Sequence, residues 1–196
     1  MITAAQIKSA FDQANTDKGY THSYQTGYEF VFKKFNPTSL LEVGIKQGRS
    51  LAAWKILFPK CNITGVDITD KGFRDEYLKM AQSKNIICDS TKPELLQFLE
   101  PSYDVIIDDG SHFYLDIEKT FDLLKYKFNH AYVVEDSMYG TEVLVAYAKS
   151  LGYKVTMFPS PKKQNIPVNA GLITSKKYGP KEHNIPVSLF LVVITK

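Results

Sequence analysis

The chain has 196 residues, 44% hydrophobic and 23% charged, with a formal net charge of +3. That suffices for one domain with a self-standing core, residues 1–196, and the charge is too small, with no basic stripe interleaved with aromatics, to point to nucleic acid. No stretch approaches the roughly 20 apolar residues that span a bilayer, and residues 1–6 lack the basic and apolar segments of a signal peptide, so a cytoplasmic protein is expected.

Residues 4–14 place Ile7, Phe11 and Ala14 on one helical face, an amphipathic helix expected to act as an N-terminal lid over residues 1–36. The polar run 15–22 breaks that pattern. A second helix is expected over 23–35, with Tyr28, Val31, Phe32 and Phe35 inward, closed by Pro37. From Ser39 the rhythm alternates strand with helix. Strands are expected at 40–45, 63–68, 86–89, 103–107 and 131–134. Helices are expected at 51–58 (Leu51, Trp54 and Phe58 on one face), 72–82, after Pro93, at 113–128 on Phe113, Ile117, Phe121, Leu124 and Phe128, and at 143–151 on Val143, Tyr147 and Leu151, stopped by Gly152. Such alternation implies parallel pairing with right-handed crossovers.

The end of the chain differs. Residues 153–158 read as a sixth strand, and 187–195 as a seventh reached without a helix, hence antiparallel. Residues 159–186 hold five prolines and several lysines and read as a long functional loop, with a short strand at 171–174. The apolar run 187–194 offers an edge through which a homo-oligomer could form. Cys61 and Cys88 have no metal-ligand spacing and read as apolar filler beside or within strands.

Chemistry concentrates at two strand ends. Val105-Ile106-Ile107 runs into Asp108-Asp109-Gly110-Ser111-His112, and Ala131-Tyr132-Val133-Val134 runs into Glu135-Asp136. In open parallel sheets ligands bind beyond the carboxyl ends of the strands, so four carboxylates and one imidazole should converge there. Crowded carboxylates repel, and a hard divalent cation with oxygen ligands relieves that repulsion. Asp109, Glu135 and Asp136 are the candidate ligands, and His112, three residues after Asp109, the candidate general base. His130 and His183 carry no such signal. The turn Glu42-Val43-Gly44-Ile45-Lys46-Gln47-Gly48 sits at a strand-to-helix junction, where glycines admit a ligand to the backbone, but Lys46 replaces the middle glycine of a dinucleotide fingerprint. Asp67, ending the next strand, is placed to accept ribose hydroxyls.

These residues together carry a resemblance. The run from Leu41 to Gly44, Gly48-Arg49-Ser50-Leu51 with Trp54, Asp67, the Asp-Asp-Gly-Ser-His stretch and Val134-Glu135-Asp136 look like the class I S-adenosylmethionine-dependent methyltransferases. More narrowly they resemble metal-dependent sugar O-methyltransferases of the macrolide-sugar type, as does Asp17-Lys18-Gly19 with His22, Tyr24 and Tyr28. The resemblance implies a Rossmann-like α/β fold with a mostly parallel seven-stranded sheet, an antiparallel last strand and helices on both faces. It implies S-adenosylmethionine held by Lys18, Glu42, Gly44, Gly48, Ser50, Asp67, Asp89, Ser90 and Asp108. It also implies Mg2+ or Mn2+ on Asp109, Glu135 and Asp136, with His112 and Asp109 catalytic and a sugar hydroxyl such as that of rhamnose as acceptor. Tyr20 and Tyr139 are candidates to stack on a sugar, and Lys162, Lys163, Lys176 and Lys177 to contact a phosphate on an activated one. The alternatives are a metal-dependent O-methyltransferase of a catechol-like or phenolic acceptor, and a non-catalytic nucleoside-binding protein of the same fold.

Overall fold

The computed structural model describes residues 2–137, 140–167 and 184–196. In chain order its elements are α1 (Ala4–Gln13), α2 (Gln25–Phe32), β1 (Ser39–Val43), α3 (Arg49–Leu57), β2 (Asn62–Asp67), α4 (Asp75–Ala81) and β3 (Lys84–Ile87). A 3-10 turn (Pro93–Phe98) leads to β4 (Tyr103–Asp108), α5 (Tyr114–Leu124), β5 (Phe128–Ser137), α6 (Thr141–Ser150), β6 (Lys154–Pro167) and β7 (Asn184–Thr195). The sheet runs in the order β3-β2-β1-β4-β5-β7-β6. β1 to β5 pair in parallel, and β7 lies antiparallel to both β5 and β6. The chain therefore has the Rossmann-like class I methyltransferase fold expected of it.

Period-two alternation divides the core. Leu40, Val105, Ile107, Ala131, Val133, Leu191 and Val193 pack with Ile7, Phe11, Tyr28, Phe32 and Trp54 on one face of the sheet. Leu41, Val43, Ile106, Tyr132, Val134, Val192 and Ile194 pack with Ile117, Phe121, Leu124 and Leu144 on the other. Trp54 anchors the first face, its ring centroid 4.7 Å from Tyr28 and 5.3 Å from Phe11. Among the described residues no helix is long and apolar enough to cross a membrane.

Several sequence expectations need correction. The helix expected as a lid, α1, packs Ile7, Ala10 and Phe11 into the core, and the turn segment 15–22 reaches the carboxyl edge of the sheet. Phe128 opens β5 instead of ending α5, because the chain turns at 125–127; Phe113 is half exposed. The inward face of α6 is Thr141, Leu144 and Ala148, with Val143 and Leu151 outside. Residues 159–167 and 184–186 are strand, not loop: β6 and β7 stay in register from Lys163↔Ser188 to Pro167↔Asn184. Prolines are tolerated in β6 because it is the sheet edge, where a missing donor costs no ladder bond. For the same reason the apolar run on β7 is not an edge, since β5 and β6 flank it. The expected strand at 171–174, Tyr139, His183 and the side chains of Lys162, Lys163, Lys176 and Lys177 lie outside the described residues.

Candidate functional site

A cavity of about 750 Å³ opens at the carboxyl ends of β1 to β5 and is bordered by the segment 15–22. Among the residues expected to bind ligands, Lys18, Gly44, Ser50, Asp67, Asp89, Ser90, Asp108, Asp109, His112, Glu135 and Asp136 all line it. Glu42 does not. It lies behind the wall, fully buried, its Oε2 accepting from Trp54 Nε1 at 2.7 Å, because the alternation of β1 turns it into the α3 layer. Gly48 caps α3 in the left-handed region (φ 80), so the helix starts at the cavity.

Gly44 is fixed by its surroundings. Its φ is +83, and a Cβ there would come within 2.0 Å of the Asp109 carbonyl oxygen. Gly44→Ala should lose at least about 1–2 kcal/mol from the left-handed conformation alone, with the backbone clash added. Urea denaturation checks this, and wild-type stability would contradict the packing at this turn.

The far side of the cavity carries polar groups already engaged. Asp67 accepts from the amides of Lys46 at 2.8 Å and Thr69 at 3.2 Å. Asp89 accepts from the Thr91 amide and hydroxyl through Oδ1, which holds its carboxyl below the usual range. Ser90 shares a hydrogen bond with Thr120 at 3.1 Å. Burial pushes Asp108 up to about 7, against hydrogen bonds from Tyr132 and the Gly110 amide.

The acidic cluster follows from strand alternation. Asp109 continues the odd-numbered face of β4, Glu42 shares the face of Leu40, and Glu135 that of Val133, so all three turn toward the layer of α1 to α3. There they meet Lys18, only 2% exposed, whose Nζ lies 2.6 Å from Asp109 Oδ2, 2.7 Å from Glu135 Oε2 and 3.5 Å from Glu42 Oε1. Tyr28 donates its hydroxyl to Glu135 Oε1. Alternation alone would send Asp136 to the opposite face. Its φ of 50 breaks the strand, and its Oδ1 instead accepts from Tyr24 at 2.5 Å and stands 3.0 Å from His22 Nδ1.

Charge at this edge is unbalanced. Burial alone would lower Lys18, but Asp109, Glu135 and Glu42 together hold it well above the ordinary lysine value. Burial pushes Glu135 up while Lys18 pulls it back, and the net direction is upward. His22 would be lowered by burial, yet the carboxylates of Asp136 and Asp17 beside it raise it to about 9. Lys18 and His22 thus face five carboxylates, Asp17, Glu42, Asp109, Glu135 and Asp136, and one ligand atom from each of Asp109, His112 and Asp136 lies within 4.8 Å of the others. That donor set suits a divalent cation. His112 has φ 61, its Nε2 is 3.9 Å from Asp109 Oδ1, and its buried Nδ1 has no hydrogen-bond partner among the described residues. Four non-glycine residues in the left-handed region, Asn15, Lys46, His112 and Asp136, line this one cavity, strain of the kind that gathers at functional sites.

Sequence reasoning missed Lys18 as the counter-charge of this cluster, and Tyr24, Tyr28 and His22 as its anchors. The clue was Lys18, His22, Tyr24 and Tyr28 together, which the sequence offered only as part of the resemblance.

No family model matches the chain. It is 31% identical over 135 residues to the 8-demethyl-8-alpha-L-rhamnosyl tetracenomycin-C 2'-O-methyltransferase of Streptomyces olivaceus, covering 62% of this chain and 35% of the relative. It is equally identical over 135 residues to the mycinamicin VI 2''-O-methyltransferase of Micromonospora griseorubida, covering 60% and 32%. The chain thus spans about a third of the length of the curated relatives it matches. Among solved structures it is similar to MycE methyltransferase from the mycinamycin biosynthetic pathway in complex with Mg and SAH, at TM-score 0.59 and 26% identity over 75% of this chain and 42% of that one. The plantazolicin methyltransferase BpumL, 17% identical with TM-score 0.55, matches 98% of this chain and shares the fold. The resemblance to class I methyltransferases, and within them to sugar O-methyltransferases, is thereby borne out.

Proposed function

We propose that this chain, having the class I methyltransferase fold and sugar O-methyltransferases as relatives, is a metal-assisted, S-adenosylmethionine-dependent O-methyltransferase acting in the cytoplasm on a sugar hydroxyl, such as one of a rhamnose-type deoxysugar. The observation that carries the reading is the meeting of Asp109, His112 and Asp136 beside a cavity at the carboxyl edge of this sheet. The names of the relatives support the acceptor class, and the Mg and SAH of MycE support the cofactors.

When bound, S-adenosylmethionine supplies a methyl group on a positively charged sulfur, and Mg2+ or Mn2+ lowers the pKa of an acceptor hydroxyl. The rest falls to the chain. The backbone from Gly44 to Gly48, with Ser50 and Asp108, would hold the methionine part; Asp67 would orient the ribose, and Asp89 and Ser90 the adenine. Asp109, Glu135 and Asp136 would hold the ion, Asp109 also orienting His112. Lying within reach of the same carboxylates, His112 would take the proton of the acceptor hydroxyl. Tyr20, 63% exposed at the cavity mouth, can stack on the acceptor sugar.

The test is methyl transfer from labelled S-adenosylmethionine to a panel of rhamnose-type glycosides and catechols, with magnesium or with chelator. Transfer to the glycosides, abolished by chelator and restored by magnesium, is expected. Transfer indifferent to chelation removes the ion, and transfer to catechols alone removes the sugar.

A further inference from the structure

Lys18 comes from a turn rather than from a long helix or strand, yet it is among the most deeply buried side chains of the protein. An ammonium has three N–H donors and no acceptor. In this protein the ammonium donates to Asp109 and Glu135 and stands 3.5 Å from Glu42, so it is engaged with carboxylates delivered by three different segments. The backbone behind it is tied down: Tyr24 donates its amide to the Lys18 carbonyl at 3.1 Å, and Thr21 donates to Asp17 at 2.8 Å. Glu135 is gripped at its other oxygen by Tyr28, whose ring is wedged against Phe11, Phe32 and Trp54.

We propose that Lys18 and Tyr28 are positioning residues for the divalent ion, fixing which oxygens of Asp109 and Glu135 face the cavity. The inference rests on the ion reading of the proposed function. A carboxylate oxygen that accepts one hydrogen bond keeps a lone pair for a metal, and ligands held in this way by neighbouring groups bind metal more tightly. The role differs from simple charge balance, which any cation at this depth would supply. Lys18 sets direction because one rigidly placed nitrogen touches two ligands that arrive on adjacent parallel strands.

Binding of Mn2+ alone, followed by electron paramagnetic resonance or calorimetry, separates the two roles. The double variant Lys18→Met/Glu42→Gln removes one positive and one negative charge together, and the glutamine oxygen can still accept from Trp54. It should bind Mn2+ about 10- to 100-fold more weakly than wild type, in line with other changes just behind a metal site. Tyr28→Phe keeps the core ring and the ammonium, and should weaken Mn2+ by about tenfold. It decides the matter if the double variant does not fold. Mn2+ affinity equal to or tighter than wild type in the folded variants overturns the positioning role while leaving the ion in place. A wild-type protein that binds no Mn2+ overturns both.

Discussion

His112→Gly should remain folded and lose turnover. The two effects separate because this side chain does little for the fold. Its backbone sits at φ 61, a region that costs a non-glycine residue about 1–2 kcal/mol, and glycine occupies it freely. Among the described residues its buried Nδ1 has no hydrogen-bond partner, and its Nε2 stands 3.9 Å from Asp109 Oδ1, beyond a hydrogen bond. Relief of strain and the added freedom of glycine in the unfolded chain roughly cancel, leaving stability within about 1 kcal/mol of wild type. Loss of a general base removes about 10²- to 10⁴-fold in rate. Chemical denaturation together with single-turnover methyl transfer checks both halves. A variant that transfers methyl groups at the wild-type rate would remove His112 from the chemistry, and one that unfolds would make the residue structural.

Lys18→Met, made alone, should have the opposite signature, a large loss of stability. The methionine fills the channel of the lysine stem but leaves Glu135 and Glu42 buried and facing Asp109 without a counter-charge. Removing one partner from a buried ion pair costs about 3–5 kcal/mol, because the remaining charge is uncompensated. The penalty should shrink in the charge-balanced double variant, whose cluster carries one carboxylate fewer. Urea unfolding of the two proteins side by side gives the comparison. A single variant as stable as wild type would show that the carboxylates are neutral in the fold without their lysine.

Much of this architecture was legible beforehand. Five apolar runs alternating with helical periodicity imply a parallel sheet, and a strand reached without a helix implies the antiparallel reversal at β7. Clustering of Asp109, His112 and Asp136 could be read from strand ends alone, since parallel strands deliver their carboxyl ends to one edge. The rest depends on facts with no local signature. Lys18 meets its partners across 91 and 117 residues of sequence, and nothing in a polar turn announces a buried ammonium. Glu42 looks like a cavity residue until the alternation of β1 is followed, which turns it toward Trp54. The left-handed conformation of Asp136 is imposed by its contacts with Tyr24 and His22, not by glycine or asparagine at that position. Prolines at 159, 161 and 167 suggest a loop, and the edge position of β6 is what allows strand there instead.

One measurement bears on the centre of this account. Crystals grown with Mn2+ and SAH, and examined by anomalous diffraction, should contain a single strong peak contacting oxygens of Asp109, Glu135 and Asp136, with the Lys18 nitrogen still on the far side of Asp109 and Glu135. Absence of a peak at the carboxyl edge, or an ion bound elsewhere in the chain, would contradict it.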